Sequence, residues 1–60
     1  MKVNFSSRVG DFAPGARVLV QWSDGNRYPG TVAQEANGQY LIAFGNGAQH
    51  WVSLQYLSPG

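Results

Sequence analysis

Three tight-turn signals punctuate this chain and leave no stretch between them for a helix longer than one or two turns. They are Ser23-Asp24-Gly25-Asn26, Asn37-Gly38 and Gly45-Asn46-Gly47. Asp-Gly and Asn-Gly supply the positive φ that tight hairpins need, and Asn37-Gly38 is the strongest signal of the three. Val18, Val20 and Trp22 alternate with Arg17, Leu19 and Gln21, which is the period of a half-buried strand. A second strand is expected from Arg27 to Gln34, with Tyr28, Gly30 and Val32 on one face and Pro29 and Thr31 on the other. Pro29 predicts an edge position or a bulge, because proline donates no ladder hydrogen bond. Gly30 predicts sharp bending or close backbone approach. Tyr40, Ile42 and Phe44 share a face of a third strand over 39–44, and residues 48–52 make a fourth. Ser53 to Leu57 is too short for an ordinary α-helix and predicts one 3₁₀ turn followed by a short last strand.

Short strands joined by tight turns describe an all-β fold: a small SH3-like barrel of four to five bent antiparallel strands with a 3₁₀ turn near the C-terminus. The barrel is expected over residues 15–60, after an N-terminal arm over 1–14. Ser6, Ser7, Gly10 and Pro14 argue for the arm, although Met1 to Phe5 is compatible with a short strand, and Phe5 and Phe12 are candidates to dock on the body. Sixty residues make one domain at most. A chain of this size buries only about 60% of its unfolded surface. With no cysteine, neither a disulfide nor a thiolate zinc site can staple it, so packing must suffice, aided at most by self-association.

Charge narrows the partners. The net charge is +1, from four basic and three acidic residues, and Arg8, Arg17 and Arg27 are scattered rather than gathered into a stripe. Phosphate neutralisation dominates nucleic-acid affinity, so this balance argues against nucleic acid as the main partner. No apolar run approaches the roughly 20 residues that span a bilayer, and no signal-peptide core follows Met1. An intracellular location, cytoplasmic or nuclear, is the expectation.

Three aromatics stand where strands meet turns: Trp22, Tyr28 and Phe44. In an antiparallel meander the end of strand one lies beside the start of strand two, and curling brings the end of strand three to the same rim. Three rings at one mouth make the kind of wall that holds methylated ammonium groups by cation–π attraction, worth about 0.5–2 kcal/mol per well-placed ring. The residues around these rings resemble a Tudor domain. Val18-Leu19-Val20-Gln21-Trp22-Ser23-Asp24-Gly25 and Arg27-Tyr28-Pro29-Gly30-Thr31-Val32 are similar to its Trp, acidic-Gly turn and Tyr-Pro-Ala-Thr-Val pattern. Tyr40-Leu41-Ile42-Ala43-Phe44 resembles its third strand, and Gln49-His50-Trp51-Val52 with Leu54, Leu57, Ser58 and Pro59 resembles its ending. The similarity covers roughly residues 15–59.

The resemblance implies a reader of methylated lysine or arginine on a peptide or protein tail. Carried over by position, Trp22, Tyr28 and Phe44 match three cage walls, His50 falls near a fourth, and Asn46 lies in the loop that often supplies a polar or acidic partner. Two departures stand out. Many methyl-lysine cages place a carboxylate after the third aromatic, whereas Gly45-Asn46-Gly47 holds none, and His50 replaces Phe or Tyr. The departures imply a fully methylated cation, or methylarginine with Asn46 as acceptor.

Other readings stand beside this one. The three rings are also suited to capping a small core, and Asp24 to forming its turn. Because Trp51 alternates with His50, one of them points inward, and Trp51 is favoured for barrel packing or an interface. A single histidine without cysteine is no metal site, and no cofactor is expected; Gly45-x-Gly47 precedes no helix that would cradle a phosphate. One His and no paired carboxylates leave acid–base and covalent catalysis without players. The enzyme alternative is the type II, trimethoprim-insensitive dihydrofolate reductase, a homotetrameric SH3-like barrel that works by positioning two ligands. Its pore-lining stretch falls on Ala48-Gln49-His50-Trp51, where only Gln49 matches outright. A protein-docking or self-assembly module is the third reading.

Overall fold

The computed structural model describes residues 12–60; the strand considered for Met1 to Phe5, and the docking of Phe5, lie outside them. Among the described residues, five strands form one antiparallel sheet: β1 (Arg17–Gln21), β2 (Arg27–Ala36), β3 (Gln39–Phe44), β4 (Gln49–Ser53) and β5 (Leu57–Pro59). Their spatial order is β4-β3-β2-β1-β5, and a 3₁₀ turn over Leu54–Tyr56 joins the two outermost strands. That connection dictates the shape. Laid flat, strands β4 and β5 would sit about 19 Å apart at about 4.8 Å per strand. Three residues of 3₁₀ helix advance only about 6 Å. The sheet therefore curls, and the curl makes the barrel.

One face of the curl is the core. Val18, Val20, Val32, Tyr40, Ile42 and Val52 are buried, and Phe12, Ala16, Phe44, Leu54 and Leu57 pack around them. Burial of a side chain such as Ile42 contributes roughly 1.5–3 kcal/mol, and Ile42 is completely enclosed. Phe12 meets Tyr40 edge-on at 6.1 Å between centroids, so the described end of the N-terminal segment packs on the body. Gly15 N–H donates to the Val32 carbonyl at 2.7 Å, and Val32 N–H donates to the Ala16 carbonyl at 2.9 Å.

Gly30 and Pro29 carry the sharpest local constraints. Gly30 lies opposite Phe44 on β3 and Val18 on β1. A Cβ there would overlap Ile42 Cγ2 and press on the Ala43 carbonyl at 3.2 Å, so the position accepts a close approach that only glycine permits. Strand β2 is central, yet its pairing with β3 begins at Gly30, which leaves Pro29 a local edge on that side. The bulge falls further along, where the register shifts between Val32 and Gln34.

Trp51 requires a correction: it does not pack the barrel. The register pairs His50 with Ile42 and Val52 with Tyr40, which puts the even-numbered residues of β4 on the core face. Trp51 therefore points outward and is 48% exposed.

Candidate functional site

Two turns of the same construction deliver the aromatic residues. In the first, Gly25 N–H donates to the Trp22 carbonyl at 3.0 Å, and Trp22 N–H donates to the Asn26 carbonyl at 2.8 Å. In the second, Gly47 N–H donates to the Phe44 carbonyl at 3.0 Å, and Phe44 N–H donates to the Ala48 carbonyl at 2.9 Å. Each is a three-residue hairpin loop closed by a left-handed glycine, with φ of 88° at Gly25 and 90° at Gly47. The residue before each glycine braces its loop. Asp24 Oδ1 accepts Asn26 N–H at 2.9 Å, and Asn46 Oδ1 accepts Ala48 N–H at 3.0 Å.

Each turn starts on one ring and presents a second two residues past its close: Trp22 with Tyr28, and Phe44 with His50. The alternation of a strand puts both members of a pair on the same face. That face is the one buried at Val20 and Ile42 further in, so the four rings continue the core beyond the mouth of the barrel.

The four rings line a cavity of about 320 Å³ together with Pro29, Gly45, Asn46 and Ala48. Trp22 and Phe44 meet edge-on, with centroids 5.9 Å apart and planes at 82°. His50 lies 5.3 Å from Trp22 and 5.8 Å from Phe44, inclined at 61° and 62°. These three rings thus form one mutually braced corner. Trp22 and Tyr28 still expose 36% and 39% of their surface, so the rings are not sealed into the core.

Among the described residues, no Asp, Glu, Lys or Arg lines the cavity. The carboxylate tied to it is Asp24, whose Oδ2 accepts the Tyr28 hydroxyl at 2.6 Å. That bond, aided by Asn26 N–H, holds the Asp24 carboxyl below the usual range, and the same bond pushes the Tyr28 phenol up. Asn46 accepts one hydrogen bond through its Oδ1, and its amide N–H groups are donors offered at the rim. Among the described residues, no group of three or more metal-ligating side chains stands together, and no helix is long and apolar enough to cross a membrane.

Trp22, Tyr28, Phe44, Asn46 and His50, singled out from sequence, all line this one cavity. Sequence reasoning missed Pro29, Gly45 and Ala48 as lining residues, and Asp24 as the brace of a wall. A signal for the brace was present. Asp24 and Tyr28 are four residues apart across a three-residue loop, a separation that a carboxylate and a phenol can close.

With this geometry in hand, the chain can be set beside known proteins. It superimposes on the solution structure of the Tudor domain from Drosophila Polycomblike (Pcl) with a TM-score of 0.77 and 28% sequence identity, over 82% of this chain and 71% of that one. No family model matches the chain, and neither does any curated protein sequence. The chain therefore has a Tudor-like fold, and the likeness supports a binding module rather than a catalyst.

Proposed function

We propose that the cavity binds a methylated lysine side chain presented by a peptide or protein tail. The observation that carries this reading is the braced corner of Trp22, Phe44 and His50, completed by Tyr28, around a volume of about 320 Å³ that, among the described residues, no Asp, Glu, Lys or Arg lines. A quaternary ammonium is large, weakly hydrated and cationic. It therefore loses little on leaving water, and the ring faces attract it with about 0.5–2 kcal/mol each. An unmethylated ammonium keeps three strongly hydrated N–H donors, and a cavity walled mainly by ring faces replaces that hydration poorly.

The polar groups favour methyl-lysine over methylarginine. A guanidinium seeks a planar pair of acceptors. Asn46 Oδ1 already serves Ala48, and Asp24 already serves Tyr28 and Asn26. Fully methylated lysine asks for no acceptor.

A titration followed by amide chemical shifts tests this reading, using blocked trimethyl-lysine, blocked lysine and blocked asymmetric dimethylarginine. Trimethyl-lysine is expected to move Trp22, Tyr28, Phe44 and His50, and the other two to act more weakly. Equal responses to lysine and trimethyl-lysine would remove the methyl group from the account.

A further inference from the structure

A second cavity, of about 450 Å³, shares Trp22 with the first and is lined by residues of β1, the turn that follows it and β4, with Tyr56 of the 3₁₀ turn. Its position follows from which neighbours touch it. Val20 and Gln21 are adjacent on β1, Trp51 and Val52 on β4, and all four line it. Adjacent strand residues point to opposite faces of a sheet, so a cavity that touches both lies at the strand edge. The free edge of β4 is the one away from β3, and β1 has an open stretch beyond its last pair with β5, Val20 with Leu57. The cavity is thus the open seam of the barrel.

The seam carries unpaired backbone groups. Phe44 N–H donates to the Ala48 carbonyl, so Ala48, His50 and Val52 form the hydrogen-bonded pairs with β3. The N–H and C=O of Gln49 and Trp51 consequently face away from β3, toward the free edge. By the same alternation from Trp22 and Asn26, the N–H and C=O of Gln21 face away from β2, beyond the end of β5. Among the described residues, none of these groups has a backbone or side-chain partner. Trp51 and Tyr56, exposed by 48% and 47%, line the same cavity.

We infer that this seam seats an extended peptide, which pairs with the free edge of β4 as an added strand and lays its side chains on Trp51 and Tyr56. Free backbone donors and acceptors in a row fit an extended chain and not a compact ligand. Among the described residues the lining has no charged side chain, which selects uncharged, β-branched or apolar side chains. Trp22 is a wall of both cavities, so one peptide reaches from the seam to the aromatic corner. In that respect the inference rests on the reading of the first cavity as the seat of a methylated side chain.

Three probes separate the two cavities: blocked trimethyl-lysine, a capped nine-residue peptide with trimethyl-lysine at its centre among threonine and valine, and the same peptide with alternate backbone amides N-methylated. Strand addition predicts that the plain peptide binds about tenfold or more tighter than the amino acid. It also predicts that the peptide slows hydrogen exchange at the Gln49 and Trp51 amides, and that N-methylation returns affinity to that of the amino acid. Equal affinity of peptide and amino acid, or insensitivity to N-methylation, would overturn the inference. Protection of Gln49 and Trp51 that rises with protein concentration before any peptide is added would also overturn it, by assigning the seam to a second copy. Failure of trimethyl-lysine itself to bind, with the plain peptide still protecting these amides, would sink only the reading of the aromatic corner.

Discussion

Tyr28 donates its hydroxyl to Asp24 Oδ2 at 2.6 Å, which fastens one wall of the aromatic cavity to the turn that also positions Trp22. The bond depends on a charged carboxylate and a neutral phenol. Asp24 is held below its ordinary range, so its contribution is present above the unfolded value near pH 4 and is lost as pH falls through the folded one. Tyr28 is raised, so its contribution is complete below about pH 10 and is lost as pH rises through its folded value. Asp24→Asn is expected to move the Tyr28 titration back down toward the ordinary tyrosine range, as read from its ring-proton shifts. An unchanged titration would mean that the bond is not made in solution.

At Asn46, a carboxylate would serve the same turn. Asn46→Asp keeps an oxygen for Ala48 N–H and adds a negative charge at the cavity rim. Calorimetry is expected to show dimethyl-lysine gaining more affinity than trimethyl-lysine, because only the former has an N–H to donate. Equal gains for both ligands would mean that the charge acts only at long range.

His50 supplies the fourth wall. His50→Phe replaces an imidazole with a larger apolar ring, and affinity for trimethyl-lysine is expected to rise a few-fold, within the roughly 0.5–1 kcal/mol of an exposed cation–π contact. A loss of affinity, with the fold intact by circular dichroism, would show that the imidazole does more than form a wall.

Gly30 is where the fold tolerates least. Gly30→Ala drives a methyl into Ile42 Cγ2 and is expected to destabilise by about 1–3 kcal/mol, the range for overpacking. Ile42→Ala alone is expected to cost about 2–5 kcal/mol. Chemical denaturation of the double variant should show less loss than the sum of the two, since the second change removes the obstructing atom. Strict additivity would mean that the two positions do not touch.

How much of this was legible beforehand differs between fold and site. The turn residues fixed the hairpins, because Gly25, Gly38 and Gly47 take the positive φ that their turn signals demand. Alternation placed Val18, Val20, Tyr40 and Ile42 on the core face. What alternation alone left open was the facing of β4, since either His50 or Trp51 satisfies a period of two. Pairing with Ile42 and Tyr40 decided it, and pairing is a long-range property. Pro29 signalled a missing partner, and only the length of β3 reveals that the partner is missing locally on a central strand. The aromatic rim was legible as residues near turns. Its bracing by Asp24 was not, because the second oxygen of a turn-forming carboxylate leaves no mark in a sequence.

The central claim is that the aromatic corner recognises positive charge and not merely a methylated, apolar knob. The direct measurement compares trimethyl-lysine with its neutral isostere, in which carbon replaces the quaternary nitrogen, by calorimetric titration of the same protein. Cation–π attraction predicts that the neutral analogue binds about tenfold or more weakly, since the two share shape and differ only in charge. Equal binding of the two ligands would contradict the claim and leave a hydrophobic pocket in its place.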